Sequence, residues 1–73
     1  MNDVELEAFV NQDGDRAYRT EDGYSVERVE GRSPWAVNGP DMFRTAYCRN
    51  LARVRDVIAM ARRGELSAKA VIG

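Results

Sequence analysis

The chain has 73 residues, enough for one domain over residues 1–73 and too few for a second. Hydrophobic residues make up 44% and charged residues 32%, as in an ordinary globular protein, and the net charge is −1. No apolar run approaches the ~18 residues of a membrane span, and no signal peptide is recognisable, so we expect neither membrane insertion nor secretion.

The missing residue types exclude several kinds of site. The chain has no histidine and a single cysteine, Cys48. A zinc finger or a histidine-dependent catalytic triad is therefore excluded. Because one cysteine cannot form an internal disulfide, a cytoplasmic location is expected. We expect Cys48 to be a small buried residue; the alternative is a nucleophile activated by Arg44 or Arg49.

Nothing in the chain predicts catalysis or a cofactor. The carboxylates are scattered through turns, and Asp13-Gly14-Asp15 lacks the further ligands of an EF-hand loop. No glycine-rich phosphate loop is present. A chain this short also has difficulty enclosing the ~300 Å³ pocket of a small-molecule site. We therefore predict no enzyme activity, no cofactor, no metal and no catalytic residue.

Residues 3–11 are the first candidate element. Their apolar side chains alternate as in a strand: Val4, Leu6, Ala8 and Val10. The spacing of Leu6, Phe9 and Val10 also fits a helix, which stays an alternative. We favour the strand.

Turn dipeptides divide the middle of the chain. Asp13-Gly14 and Asp22-Gly23 enclose a short strand at residues 17–20. Residues 24–30 are rich in strand formers and predict the next strand.

A turn at residues 31–34 leads to a return strand at 35–38, and a second turn follows at 38–41. Residues 42–47 alternate as a strand does, but Pro40 also suits the first position of a longer helix. We favour the strand here too.

The clearest element is a helix over residues 51–63. Its apolar stripe repeats at intervals of three and four: Leu51, Val54, Val57, Ile58 and Ala61. Asn50 is a suitable N-cap, and Gly64 is placed to end the helix. Residues 66–73 predict a short second helix or a frayed end.

These elements predict an α+β fold, an antiparallel meander of three to five short strands with one C-terminal amphipathic helix on one face. The helix stripe would cover one side of the sheet, burying a small set of strand residues: Tyr24, Val26, Trp35 and Val37. The other face or a sheet edge would then be free for a partner.

The two halves of the chain carry opposite charge. Residues 1–39 contain nine carboxylates and four arginines, a net charge of −5, whereas residues 40–73 carry a net charge of +4. Such asymmetry indicates either an interaction surface or two halves that fold against each other.

From these features we predict a cytoplasmic protein-binding module that occupies a partner's surface, as small inhibitors and adaptors of bacterial or phage origin do. The complementary charges also permit a homodimer. The alternative is a nucleic-acid-binding protein that uses the arginines of the helix. A third option, an acidic mimic of nucleic acid, has little charge to support it. Five residues are candidates for partner binding: Phe9, Trp35, Arg49, Arg53 and Arg55.

Overall fold

The computed structural model describes residues 4–42 and 44–64. Within these two ranges lie five short strands and one helix: β1 (Glu7–Val10), β2 (Arg16–Arg19), β3 (Ser25–Arg28), β4 (Trp35–Asn38), β5 (Ala46–Cys48) and α1 (Leu51–Arg62). The strands form one antiparallel sheet in which the spatial order is the order of the sequence. The predicted α+β meander with a helix after the strands is confirmed.

The turns and strands lie close to the positions predicted from the sequence. Gly14 and Gly23 have φ of 81° and 100°, a backbone region that glycine adopts without a side-chain clash. Within residues 4–11 the chain forms a strand and no helix, and the strand predicted at 42–47 begins later, at Ala46. The prediction for residues 66–73 lies outside the described part of the chain.

Capping hydrogen bonds determine where α1 begins and ends. The side chain of Asn50 accepts a hydrogen bond of 2.8 Å from the backbone N–H of Arg53, which satisfies one free donor of the first turn. At the other end Gly64 has φ of 70° and donates its N–H to the carbonyl of Ala61. No helix within residues 4–42 and 44–64 is long and apolar enough to cross a bilayer.

The core lies between α1 and one face of the sheet, over β4 and β5. Its fully buried side chains are Val26, Val37, Cys48, Val54, Val57 and Ile58. Burial raises the pKa of the Cys48 thiol more than the nearby charge of Arg53 lowers it, so the cysteine is a neutral packing residue, as predicted.

The strand register assigns each strand residue to one of two faces. Tyr18, Val26 and Val37 lie opposite one another on β2, β3 and β4, and the last two belong to the core. Because side chains alternate along a strand, every second residue from these points toward α1. We call that side the covered face and the other side the uncovered face.

A polar contact ties the end of α1 to the turn between β2 and β3. The guanidinium of Arg62 donates two hydrogen bonds of 2.9 Å to the carboxylate of Asp22, and Thr20 donates a third, at 2.6 Å, to the same group. Arg62 also lies 5.9 Å from the ring centroid of Tyr24, whose hydroxyl donates to Asp41 at 2.6 Å. This contact joins segments 40 residues apart.

Replacing Ile58 with alanine should lower the free energy of unfolding by about 2–5 kcal/mol, because it leaves a cavity in the core of a chain whose total stability is about 4–11 kcal/mol. Urea unfolding followed by the fluorescence of Trp35 measures the change. The exposed Ala52 of the same helix is the control, since Ala52→Ser should change stability by less than about 0.5 kcal/mol. Equal effects at the two positions would contradict the assigned core.

Because of the Asp22–Arg62 contact, the free energy of unfolding should depend on pH in the acidic range. Its hydrogen bonds lower the pKa of Asp22 from 3.8 to about 2, so its stabilising effect is complete above pH 3.8 and is lost as the pH falls to about 2. Asp22→Asn should therefore be less stable than the parent chain at neutral pH and equally stable near pH 2. Urea midpoints at pH 7, 4, 3 and 2 test this, with Glu21→Gln as the control. A difference that stays constant with pH would contradict it.

Candidate functional site: the uncovered face of the sheet

The uncovered face is broad, because α1, the only helix within the described ranges, packs on the opposite side. Its members follow from the alternation of each strand and from the register: Glu7, Phe9, Ala17, Arg19, Ser25, Glu27, Ala36, Asn38, Thr45 and Tyr47. Thr45 is placed beside β4 by a 2.6 Å hydrogen bond from its hydroxyl to the side-chain oxygen of Asn38. The face thus extends across all five strands.

One row of side chains crosses the middle of this face. The register pairs Phe9 with Ala17, and it pairs Ala36 with both Glu27 and Tyr47. Continuing the β2–β3 register by one pair brings Glu27 opposite Ala17. We call these five residues the central row. At ~4.8 Å between strands, four spacings give it a length of about 19 Å.

The central row has an aromatic side chain at each end and two small, buried alanines between them. Ala17 and Ala36 are only 0% and 6% exposed, although α1 does not lie above them, because larger neighbours on both sides shield their methyl groups. Tyr47, at one end, is 49% exposed. Phe9, at the other end, is half-buried, and the guanidinium of Arg19 lies 4.7 Å from its ring centroid.

The charges on this face are distributed unequally. Arg19 forms a 2.5 Å ion pair with Glu7, so those two charges largely offset each other. Glu27, between the two alanines, is exposed and forms no ion pair with the described residues. The net charge at the centre of the row is therefore that of one free carboxylate.

The ionisable groups of the central row are one carboxylate and one phenol, those of Glu27 and Tyr47. No cluster within residues 4–42 and 44–64 has the composition of a metal site. A shallow cleft of about 500 Å³ continues from the Phe9 end, and its lining is mostly polar: Phe9, Val10, Asn11, Gln12, Asp13 and Glu27.

The two predicted aromatic residues lie on different surfaces. Phe9 belongs to the uncovered face, whereas Trp35 is half-buried on the covered face, at the margin of the core. The ring of Trp35 packs edge-on against Tyr18 at 5.7 Å between centroids, with the guanidinium of Arg28 at 5.6 Å. Trp35 is thus a packing residue and is not part of the candidate site.

The three predicted arginines do not form one surface. Residues 53 and 55 are separated by about 200° around the helix axis, so Arg53 and Arg55 flank the buried stripe on opposite sides, and both are half-buried. Arg49 is exposed but precedes the helix. A fourth cation of the same half, Arg62, is bound to Asp22.

Of the central row only Phe9 was among the residues predicted for partner binding, and sequence reasoning missed the other four: Ala17, Glu27, Ala36 and Tyr47. The residue type alone, a small or charged side chain within a short strand, does not indicate a binding site. The signal was the pairing of the strands: the Asp22-Gly23 turn implies that β2 and β3 form a hairpin, and the alternation within each strand then brings Glu27 to the same face as Ala17.

Comparison with known proteins finds no matching family, no matching curated protein and no matching solved structure. The geometry of the chain itself therefore carries the functional argument.

Proposed function

We propose that this chain is a non-enzymatic protein-binding module that occupies a partner's surface with its uncovered face. The observation that carries the proposal is the central row, which joins two aromatic side chains, two shielded alanines and one free carboxylate across five strands. A shallow surface that exposes two aromatic side chains on either side of one charge resembles a protein interface more than a small-molecule pocket.

The aromatic ends would supply most of the binding free energy. Large rings bury much area at a small cost in conformational entropy, and tyrosine is enriched among the residues that dominate interfaces. Tyr47 is half exposed and free to be covered by a partner. Because Ala17 and Ala36 are almost fully buried, a partner would contact the larger side chains of the row beside them, those of Phe9, Glu27 and Tyr47.

The carboxylate of Glu27 defines the chemistry of the partner. A cationic side chain, lysine or arginine, would pair with it at the centre of the row, where a bound partner excludes water and strengthens the charge-assisted hydrogen bond. We therefore propose a partner that presents a basic residue within an apolar patch.

The same geometry favours a protein over nucleic acid as the partner. Phosphates would be repelled by the free carboxylate of Glu27 on the uncovered face. The arginines that would bind phosphates are divided between the two flanks of α1, or are engaged in the Asp22 contact.

Photo-crosslinking tests the proposed face. With p-benzoylphenylalanine in place of Tyr47, the chain should give a discrete crosslinked protein band in lysate of its source cells. The same label at Ala52, on the exposed side of α1, should give no such band. Adding Glu27→Lys to the Tyr47-labelled chain should weaken binding roughly thirtyfold or more, because reversing one charge of a desolvated pair costs about 2 kcal/mol at least.

The matched control for Glu27→Lys is Glu30→Lys, which makes the same charge change at an exposed turn position outside the central row. It should leave the crosslink intact. Equal loss with both substitutions would show a general effect of net charge and would contradict recognition by the central row, as would a band from position 52 alone.

Binding to nucleic acid is tested separately by fluorescence anisotropy with labelled random duplex DNA and RNA at ~0.05 M and ~0.15 M salt. We expect flat titrations at tens of micromolar protein. Saturable binding that weakens steeply with salt and is lost in the Arg53→Glu, Arg55→Glu double variant would favour the nucleic-acid function instead.

A further inference from the structure

The free edge of β1 is a second surface, which adjoins the uncovered face at Phe9. Within the described residues, β1 pairs with β2 on one side and with no strand on the other. An unpaired edge presents backbone N–H and C=O groups that can form a ladder with another strand.

The hydrogen-bond pattern identifies which backbone groups point outward. The N–H of Asn11 donates to the carbonyl of Asp15 at 2.9 Å, so the groups of Asn11 face β2. Hydrogen-bonded pairs alternate in an antiparallel ladder, so the groups of Phe9 also face β2. The N–H and C=O groups of Ala8 and Val10 therefore face away from the sheet.

The neighbouring ladder supports this assignment independently. Thr20 donates its N–H to the carbonyl of Tyr24 at 3.0 Å, which directs the backbone groups of Thr20 toward β3. By the same alternation the backbone N–H and C=O groups of Tyr18 also point toward β3, and those of Ala17 point toward β1. Ala17 is paired with Phe9, so this result agrees with the assignment of the Phe9 groups to β2.

This edge has only part of the usual protection against strand pairing. β1 is short and carries one charge, that of Glu7, but it has no proline, no lysine and no bulge in its register with β2. Its Val10 side chain is 69% exposed.

We propose that a second copy of this chain pairs with β1 through its own β1, antiparallel and centred on Phe9, giving a continuous ten-stranded sheet across a two-fold axis. The inference does not depend on the proposed function. In this register Ala8 lies opposite Val10 of the second copy, and Phe9 lies opposite its own equivalent on the uncovered side.

The edge complements itself in three respects. The outward groups lie at positions 8 and 10, symmetric about Phe9, so the two copies satisfy all of them reciprocally. The exposed Val10 gains an apolar neighbour on the covered side, in the kind of cross-strand pair that stabilises sheets. Glu7 falls opposite Asn11, so no carboxylate faces another carboxylate across the ladder.

Symmetry also favours this pairing over contact between β1 and β5. A β1–β5 contact would be heterologous and would give a ring or an open chain of molecules, whereas β1–β1 closes as a dimer. A four-residue ladder is a small interface, so we expect weak association, with a Kd on the order of 0.1 mM.

The first experiment measures molar mass by light scattering from about 0.01 to 1 mM protein. A concentration-dependent rise to twice the monomer mass is expected, and a monomer at 1 mM would overturn the proposal. Val10→Pro removes an outward N–H that β2 does not use, so it should abolish dimerisation while the monomer still folds. Val10→Thr keeps that N–H and should still dimerise.

Cysteine crosslinking tests the register and does not rely on the proline variant folding. In a Cys48→Ala background, Phe9→Cys should form an intermolecular disulfide on mild oxidation, because residues at the centre of the pairing have their Cβ atoms close together. Val10→Cys should crosslink much less. A dominant disulfide from Val10→Cys, or a dimer that persists in Val10→Pro, would overturn the β1–β1 pairing.

Discussion

The structure depends on the packing of one short helix against one face of a five-stranded sheet. The buried side of α1 is formed by Val54, Val57, Ile58 and Ala61, and these residues complete a core that β3, β4 and β5 begin. Twelve helical residues cannot cover both faces. The uncovered face must therefore remain compatible with water, and it does so by combining charged and hydroxyl side chains with two alanines whose methyl groups are shielded by their neighbours.

The fold brings one pair of opposite charges from the two halves of the chain into contact. Asp22 of the acidic half and Arg62 of the basic half form a hydrogen-bonded ion pair that anchors the end of α1 to the β2–β3 turn. The charge asymmetry thus has a structural use in at least one pair. The carboxylate of Glu27 is different, since it forms no ion pair with the described residues.

The elements were predictable because their signals are local. The Asp-Gly turns, the Asn50 cap and the helical stripe each act within a few residues, and the strand at residues 35–38 was predicted to the residue. The candidate site was not predictable in this way, because its five members come from five strands and are united only by the register. The role of Gly39 was also hidden: a Cβ there would overlap the ring of Tyr24, which the fold brings across from β3.

The strand order has a consequence for how the chain folds. Every pair of hydrogen-bonded strands is consecutive in the sequence, and α1 packs mainly on β4 and β5, the two strands that immediately precede it. Contacts of such short sequence separation close small loops, so contact order is low and folding should be fast for a β-rich chain. The Asp22–Arg62 pair closes a loop of 40 residues, so its formation costs more chain entropy than the closing of any of the hairpins.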